Sequence, residues 1–517
     1  MLKKQWMSFI ILLLAFSVLA AACSNKNNET APGSSAPASV SATPAQSAEP
    51  TPTAPAKIKM IVSDNSLPTP AADDPRIKYM EEKTGVDLDI EFLPHGTYED
   101  QLRVRFASGD FPDVYQSWSG PDAKLVDSGK ILPLNDLIDT YGPNLKKAIP
   151  QAAWDAVTIK GEILAVPQPA MSLSGQLMFI RKDWLDRLNL QVPTTSDELL
   201  NVLRAFRDQD ANGNGDPNDE IPFSMRENIG WGDNIFGMWG IGTAWTEYYY
   251  NNEVILGNIH PNILKPLEYI QTMWKEKLID SEFMTNKRET WENKIKSGLV
   301  GVWDHTPQLA HQWVMDLRAS IPDQNPEVIA IPTPRGTGYD GPVGTRWSPI
   351  SKTFIIPKSA QNPEAIIKYL DWLITDEGQT FTELGIEGDT YFKGVNDGVI
   401  TFDTKKYDSL LWLDRAIRMH GYNSELSKIK LGDDDLFAYM DKAYKIANEE
   451  GFVNEAVGMP PIDNEYNMTT MFREAAGKVM VGAAPLSDYE KFMADWRAQG
   501  GDQLVKERTE WYNANRK

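Results

Sequence analysis

The segment from Phe206 to Ser224 reads FRDQDANGNGDPNDEIPFS and places oxygen-bearing side chains at alternate positions around two glycines. With Asp208 as the first position, the third, fifth, seventh and twelfth positions hold Asp210, Asn212, Asn214 and Asp219. Gly213 stands at the sixth position, where the backbone must turn sharply. This spacing directs several oxygen atoms at one hard cation, so it predicts a calcium loop over residues 208–220.

The residues at the end of this loop indicate which role a bound cation would have. Glu220 follows the twelfth position and could add a bidentate carboxylate, whereas the participation of Asp216, at the ninth position, stays open. Ile221 and Pro222 come next, so the exiting helix of a calcium sensor is not expected. The segment offers no nucleophile or general base beside an open metal position, and we therefore expect a structural Ca²⁺. The alternative is an Asn-Gly turn with solvated acids.

Tryptophan is abundant, with 16 residues, and several of them lie in glycine-containing segments that resemble loops. Carbohydrate sites stack sugar rings on flat aromatic faces and orient them with a few polar groups. The ligand-contacting candidates are Trp118, Trp231, Trp239, Trp245, Trp303 and Trp347, with Arg346 as a donor to hydroxyl or carboxylate groups. Each tryptophan could instead belong to the core.

Acidic residues near these aromatics leave a carbohydrate-active enzyme as the alternative. Asp233, Glu247 and Asp304 are close to them in sequence, but a glycoside hydrolase needs two carboxylates at a set separation, which a sequence does not reveal. The absence of an HExxH motif argues against a zinc hydrolase.

Composition limits the class of protein. A chain of 517 residues with 42% hydrophobic residues predicts two or three domains with real cores. The formal net charge of -21 argues against nucleic acid as a partner and against direct adhesion to an anionic membrane surface.

The N-terminus is typical of an exported protein. Residues 1–22 combine Lys3 and Lys4 with a short apolar run, which predicts a signal peptide. The only cysteine, Cys23, follows three alanines and resembles the acylated cysteine of a bacterial lipobox. Residues 23–56 are rich in Ser, Pro, Ala and Thr and predict a disordered tether behind the lipid anchor. An ordinary signal peptide with an incidental cysteine is the alternative.

The folded region begins with a strand-helix-strand pattern. Ile58, Met60 and Val62 predict a buried strand, and Asp74 and Pro75 predict the start of a helix that ends at Gly85. The following VDLDIEFLP predicts a second strand, so the unit is βαβ and the fold class is α/β with a parallel sheet.

Ordered motifs resemble a known family. They are RFASGDFPDVYQSW from Arg105, GKILPLNDLID from Gly129, GEILAVPQP from Gly161, the segment Met178–Leu199, and the segment Ser351–Gln379. In this order, behind a lipobox, they look like the extracellular solute-binding proteins of sugar-importing ABC transporters. The chain is most similar to long Gram-positive lipoproteins and to alginate-binding proteins, in which an Asp-Glu pair like Asp219-Glu220 completes a calcium site.

The resemblance implies a two-lobed periplasmic-binding-protein-like fold of type II, with discontinuous lobes joined by hinge segments. Lobe one would comprise about 57–168 and 352–385, and lobe two about 169–351 and 386–517, with crossings near Val166–Ser172 and Ser348–Thr353. It also implies a monomer, lipid-anchored at the outer face of the cell membrane, that captures a solute, most simply an oligosaccharide, and delivers it to an ABC permease without catalysis.

Overall fold

The computed structural model describes residues 54–118, 120–242, 247–395, 398–459 and 469–516. The predicted signal peptide, Cys23, nearly all of the tether and Trp245 lie outside the described residues. Within the described ranges, no helix is both long enough and apolar enough to cross a bilayer.

The strands are short, and most contribute to two larger sheets. Their bounds are β1 Ala56–Ser63, β2 Val86–Leu93, β3 Val114–Ser117, β4 Thr158–Ile159, β5 Glu162–Ile163, β6 Val166–Pro169, β7 Leu177–Arg181, β8 Ile221–Phe223, β9 Glu247–Tyr250, β10 Glu253–Leu256, β11 Val300–His305, β12 Val328–Ile331, β13 Arg346–Trp347, β14 Ile350–Ile355, β15 Tyr391–Lys393, β16 Ile400–Phe402 and β17 Phe452–Val453.

Helices cover both sheets. Their bounds are α1 Pro75–Thr84, α2 Tyr98–Ser108, α3 Ala123–Asp127, α4 Asn135–Tyr141, α5 Pro143–Ala148, α6 Gln151–Asp155, α7 Lys182–Arg187, α8 Ser196–Asp208, α9 Asp233–Gly237, α10 Leu264–Lys275, α11 Arg288–Lys296, α12 Ala310–Ser320, α13 Pro363–Leu373, α14 Asp376–Leu384, α15 Tyr407–Trp412, α16 Ser424–Leu431, α17 Asp434–Glu449, α18 Thr469–Met480, α19 Leu486–Trp496 and α20 Asp502–Arg516.

The predicted βαβ unit is confirmed. The Asp74 side chain accepts a hydrogen bond from the Arg76 backbone N–H and caps α1, with Pro75 at its first position. Such a cap stabilises a helix by about 1 kcal/mol because it satisfies a backbone donor that has no partner within the helix. β1 and β2 then pair in parallel.

The first sheet has five strands in the order β2-β1-β3-β14-β6. β1 is parallel to β2 and β3, whereas β14 runs antiparallel to both of its neighbours, β3 and β6. The buried side chains that pack around this sheet come from Ile58–Val166 and from Ile350–Met419. The core of this lobe is therefore built from two distant stretches of chain.

The second sheet has four strands in the order β12-β7-β11-β8. β8 and β11 are parallel, and β7 runs antiparallel to β11 and β12. The two cores on its faces take side chains from 177–331, from Ala443–Ala447 and from Phe472–Val505.

The first lobe extends further along the chain than the expected end at 385. Leu410, Trp412, Leu413 and Ile417 are buried in the core of the first sheet. The Gln116 side chain of β3 also donates a hydrogen bond to the Ala416 carbonyl. The core partners of this segment lie in distant parts of the chain, so the first lobe continues to about residue 419 and does not end near 385.

Three crossing segments, 170–176, 343–349 and 450–454, lie side by side between the two sheets. Ala170 N–H donates to the Pro349 carbonyl at 3.0 Å, and β13 pairs in parallel with β17. The contact needs glycine at two positions. Gly344 and Gly451 have φ of 111° and 93°, and a Cβ on Gly451 would lie 2.7 Å from the Thr345 carbonyl oxygen. The predicted crossings, near Val166–Ser172 and Ser348–Thr353, overlap the first two segments only at 170–172 and 348–349, and the third segment was not anticipated.

Candidate ligand-binding site and cation loop

A cavity of about 400 Å³ lies at the edge of the second sheet. Its walls are the loop from Arg226 to Asp233, Gln176 and Arg473. The loop follows the end of β8, and Gln176 immediately precedes β7. The cavity therefore lies beside the carboxyl end of β8, a position where open α/β sheets commonly bind ligands.

The loop has an uncommon backbone conformation. Asn228, Ile229 and Trp231 have φ of 62°, 63° and 58°. These values lie in the left-handed region, which is unfavourable for a β-branched residue such as Ile229. Because Ile229 is 1% exposed, its packing in the core holds the loop in place. Strain of this kind, about 1–3 kcal/mol per residue, concentrates at functional sites.

Trp231 is a supported aromatic surface. Its ring is stacked on His305, with centroids 4.0 Å apart and planes 19° from parallel. Trp291 is also nearly parallel to His305, with ring centroids 5.9 Å apart. Burial lowers the pKa of His305 to about 4, so the imidazole is neutral near pH 7. Trp231 is only partly buried and lines the cavity, so its indole is accessible to a ligand.

Gln176 and Asp233 form a polar wall of the cavity. Gln176 Nε2 donates to Asp233 Oδ2 at 2.6 Å. Gln176 Oε1 and Asp233 Oδ1 are buried and have no hydrogen-bond partner. Burial raises the pKa of Asp233 to about 6, against the opposing effects of the Gln176 hydrogen bond and the Arg473 charge.

A deeper polar network continues behind this wall. The Asn234 backbone N–H donates to Asp304 Oδ2 at 3.2 Å, and Asn234 Nδ2 donates to Thr333 Oγ1 at 2.8 Å. Thr333 in turn donates from its backbone and its hydroxyl to the two oxygens of Glu450, each at 2.8 Å. Burial raises the pKa of Asp304, with the charges of Asp233 and Glu450 adding to the shift, and burial raises the pKa of Glu450 to about 7.

This network is attached to the crossing segments. The Gln176 backbone N–H donates to Thr345 Oγ1 at 3.3 Å, and the Ser174 and Thr345 hydroxyls are 2.7 Å apart. Glu450 stands next to Gly451 in the third crossing segment. Gln176, which lines the cavity, and Glu450, in the network behind it, therefore belong to two of the segments that join the lobes.

The structure assigns two of the candidate aromatics to the core. Trp303 is fully buried and Trp239 is 5% exposed, and both pack in the cores of the second lobe. Neither lines the cavity, so their contact with a ligand stays a prediction that this cavity does not support. Trp303 lies on β11, and its ring packs edge-on against Trp313.

Three other candidates lie elsewhere. Trp118 follows β3 in the first lobe and meets His95 and Tyr98 edge-on, each at 5.2 Å between ring centroids. Arg346 lies over the Tyr248 ring at 4.1 Å. Trp347 is 38% exposed in the second crossing segment. Among the predicted ligand-contacting residues that the structure describes, Trp231 is the one that lines the cavity described above.

Sequence reasoning missed much of the polar wall. Gln176, Arg226 and Glu450 carried no local signal because they come from three separate segments. Asp233 and Asp304 were considered, together with Glu247, only as candidate catalytic acids of a hydrolase. In the structure Glu247 is instead paired with Arg508, through a 2.7 Å hydrogen bond.

The predicted calcium loop follows α8 and runs into β8. Asp219 Oδ1 and Oδ2 accept hydrogen bonds from the amides of Asn212 and Asn214, at 2.8 and 2.6 Å. Asp210 Oδ2 accepts from the Gly215 backbone N–H at 3.0 Å. The loop is thus closed by its own side chains.

The oxygen chemistry of this loop fits a hard cation, with one exception. Asp210 Oδ1 and Glu220 Oε2 are buried and lack hydrogen-bond partners, as expected of oxygens that face a cation. Asp208 is the exception, because the cationic Arg207 guanidinium already pairs with both of its oxygens, at 2.6 and 2.8 Å, whereas the Asp219 oxygens accept only from neutral amides. Across the described ranges, no group of three or more His, Cys, Asp or Glu side chains is arranged to hold a metal ion.

Residues 61–380 match the family model of the bacterial extracellular solute-binding proteins. The chain belongs to this family. Its two α/β lobes, joined by hinge segments, confirm the predicted fold class. Proteins of this family bind solutes outside the cell, so the solute-binding interpretation is supported over the enzyme alternative.

Relatives of this solute-binding protein align over most of its length. Lipoprotein LipO of Bacillus subtilis (strain 168) is 23% identical over 463 residues, covering 86% of this chain and 89% of LipO. The polygalacturonan/rhamnogalacturonan-binding protein YtcQ of the same organism is 26% identical over 470 residues, covering 84% of this chain and 87% of YtcQ.

A solved structure confirms the fold. It is an HMO binding ABC-transporter associated solute binding protein from Bifidobacterium longum infantis, with a TM-score of 0.70 and 22% identity, covering 89% of this chain and 99% of that chain. In the chain described here, the cavity beside Trp231 lies on the second lobe and borders the crossing segments. A solute bound there can influence both lobes.

Proposed function

We propose that this solute-binding protein captures an oligosaccharide between its lobes and delivers it to the permease of an ABC importer. The observation that carries the proposal is the cavity in which Trp231, supported by His305, lies beside the unpartnered oxygens of Gln176 and Asp233. An aromatic face beside hydrogen-bond acceptors suits the C–H face and the hydroxyl donors of a sugar ring. YtcQ is named for polysaccharide ligands.

Capture would act through the crossing segments. A ligand that contacts both lobes favours the closed form, because it gains contacts there that the open form lacks. The bonds from Gln176 and Ser174 to Thr345 place the cavity wall beside two of these segments. A saccharide bound on the second lobe would thus shift the equilibrium at the crossing segments toward the closed form, which would dock on the permease.

We also propose that the protein is attached by a lipid to the outer face of the cell membrane. Cys23 would be acylated after removal of residues 1–22, and the tether of residues 23–56 would hold a monomeric body at the outer face of the cell membrane. The name of the relative LipO describes it as a lipoprotein, which supports this assignment.

The loop after α8 would hold a structural Ca²⁺. Asp210, Asn212, Asn214, Asp219 and Glu220 provide hard oxygen atoms, and two of the carboxylate oxygens lack any donor. Asp216 is not included among these ligands, because its Oδ1 accepts from the Asn218 backbone N–H at 3.1 Å. The cation would neutralise these acids and fix the start of β8, the strand that leads to the cavity.

Thermal unfolding with a panel of oligosaccharides tests sugar capture. A saccharide at about 100 times its Kd should stabilise the folded protein by about 2.7 kcal/mol and raise its Tm. Trp231→Ala should weaken binding about tenfold or more, whereas Trp511→Ala, on α20, should not. The absence of a shift with any saccharide would contradict the proposal, and new reducing ends would favour the enzyme alternative.

A further inference from the structure

The unpartnered polar atoms of the cavity wall are acceptors. Gln176 is 9% exposed, and its Oε1 has no donor. The bond from its Nε2 to Asp233 fixes the orientation of the amide, so the unpartnered atom is the acceptor. Asp233 Oδ1 is likewise without a donor. A buried acceptor that is left unsatisfied costs free energy, so this wall favours a ligand that presents O–H donors.

The cations that line the cavity are already matched by acids. Arg226 donates from Nε and Nη2 to the two carboxylate oxygens of Glu227, at 3.3 and 3.1 Å. Arg473 interacts electrostatically with Asp233, the carboxylate on the polar wall. Neither guanidinium therefore provides a net positive charge for an anionic ligand.

The ionisable side chains behind the wall are also acidic. Asp304 and Glu450 lie in the same network, and Asn234 Oδ1 and Asp304 Oδ1 add two more buried acceptors without donors. The charges of Asp233 and Glu450 act on Asp304, so the three carboxyl groups share one electrostatic environment. A ligand carboxylate placed here would be desolvated and would face acceptor oxygens that have no hydrogen-bond donor to offer it.

We propose, on the basis of the oligosaccharide capture argued above, that this cavity is a subsite for an uncharged sugar ring and that it excludes uronate rings. The ring stacks on Trp231, and its hydroxyl groups donate to Gln176 Oε1 and Asp233 Oδ1. The selectivity follows from the acceptor-rich wall, since an uncharged ring supplies donors where a uronate supplies further acceptors.

Isothermal titration calorimetry with two panels tests this selectivity. The uncharged panel contains fructo-, galacto- and xylo-oligosaccharides together with carboxyl-reduced oligogalacturonates, and the acidic panel contains oligogalacturonates and oligoalginates. We expect at least one uncharged saccharide to bind and the acidic panel to bind at least tenfold more weakly. The reduced and unreduced oligogalacturonates differ only at C6, so that pair isolates the carboxylate.

Substitutions in the polar wall test whether this wall causes the selectivity. Asp233→Asn keeps the shape but removes the charged acceptor, and it should weaken the uncharged ligand about tenfold or more. Gln176→Ala should also weaken it, while Asp323→Asn, an exposed acid on the same lobe, should not. Unchanged Tm values would show that each variant is folded.

The outcomes separate the two proposals. An oligouronate that binds as tightly as the best uncharged saccharide would overturn the subsite assignment, as would parental affinity in both Asp233→Asn and Gln176→Ala. Failure of both panels to bind would instead contradict oligosaccharide capture itself.

Discussion

At the scale of single residues, Glu450 connects the cavity network to the hinge. Both of its oxygens accept from Thr333, and the next residue is Gly451, which is packed against Thr345. Burial raises the pKa of Glu450 from 4.5 to about 7. The carboxyl group is therefore more easily protonated in the folded than in the unfolded protein, and folding takes up a proton between these pH values.

Glu450→Gln should remove this pH dependence. The stability that the protonated carboxyl contributes is fully present below about pH 4.5 and is lost as the pH rises through about 7, on the order of 3 kcal/mol. The variant should therefore gain stability relative to the parent between pH 5 and pH 8, as measured by urea unfolding. Glu449→Gln, at an exposed position, is the control. Parallel pH profiles for parent and Glu450→Gln would contradict the assignment.

At the scale of elements, the segment between α8 and β8 is organised by its own polar side chains. The Asn212 and Asn214 amides converge on Asp219, while Asp210 and Glu220 each retain a buried oxygen without a donor. Asp208 belongs to the end of α8, and its bonds to Arg207 take it out of this group. The spacing of the motif suggested Asp208 as the first ligand, but the side-chain geometry separates it from the others.

Calcium should stabilise the protein through this loop. The Tm of the parent should rise with Ca²⁺ and fall with a chelator, because the cation binds only the folded loop. Asp210→Ala and Glu220→Ala should abolish the difference, whereas Asp208→Ala should retain it. A parent that melts identically in Ca²⁺ and in chelator would show that the loop is only a turn.

At the scale of the whole molecule, α20 links the two lobes away from the cavity. Val505 packs in the core of the second lobe, and Thr509 accepts from the Val254 backbone N–H at 2.9 Å. At the end of the helix, Arg516 donates to carbonyls of the first lobe. Its partners include those of Ala156, Thr158 and Val457, at 2.9, 3.0 and 2.8 Å.

Arg516→Ala should destabilise the folded protein by about 2 kcal/mol or more, because hydrogen bonds from a charged donor to several partly buried carbonyls are lost together. The unfolding midpoint in urea measures the effect. Arg497→Ala removes an exposed pair with Asp502 and should cost less than about 1 kcal/mol. Equal midpoints for the two variants would show that Arg516 does not join the lobes energetically.

Several features of the fold could be predicted from local pattern. Asp74, Pro75 and Gly85 delimit α1 because capping and backbone preferences act over a few residues. The same holds for the end of α2 before Gly109. The family resemblance then provided the discontinuous lobes, which no local pattern contains.

The residues of the site likewise fall into those predicted from the sequence and those that only the tertiary structure revealed. The sequence by itself identified the oxygen-rich loop and Trp231 as a ligand-contacting candidate, since both depend on residue type and nearby glycines. Only the tertiary structure placed Trp303 in the core and brought Gln176, Asp233 and Glu450 into one network. Those residues lie far apart along the chain, and their pKa values and unpaired oxygens are produced by burial, which depends on how the sheets and crossing segments pack together.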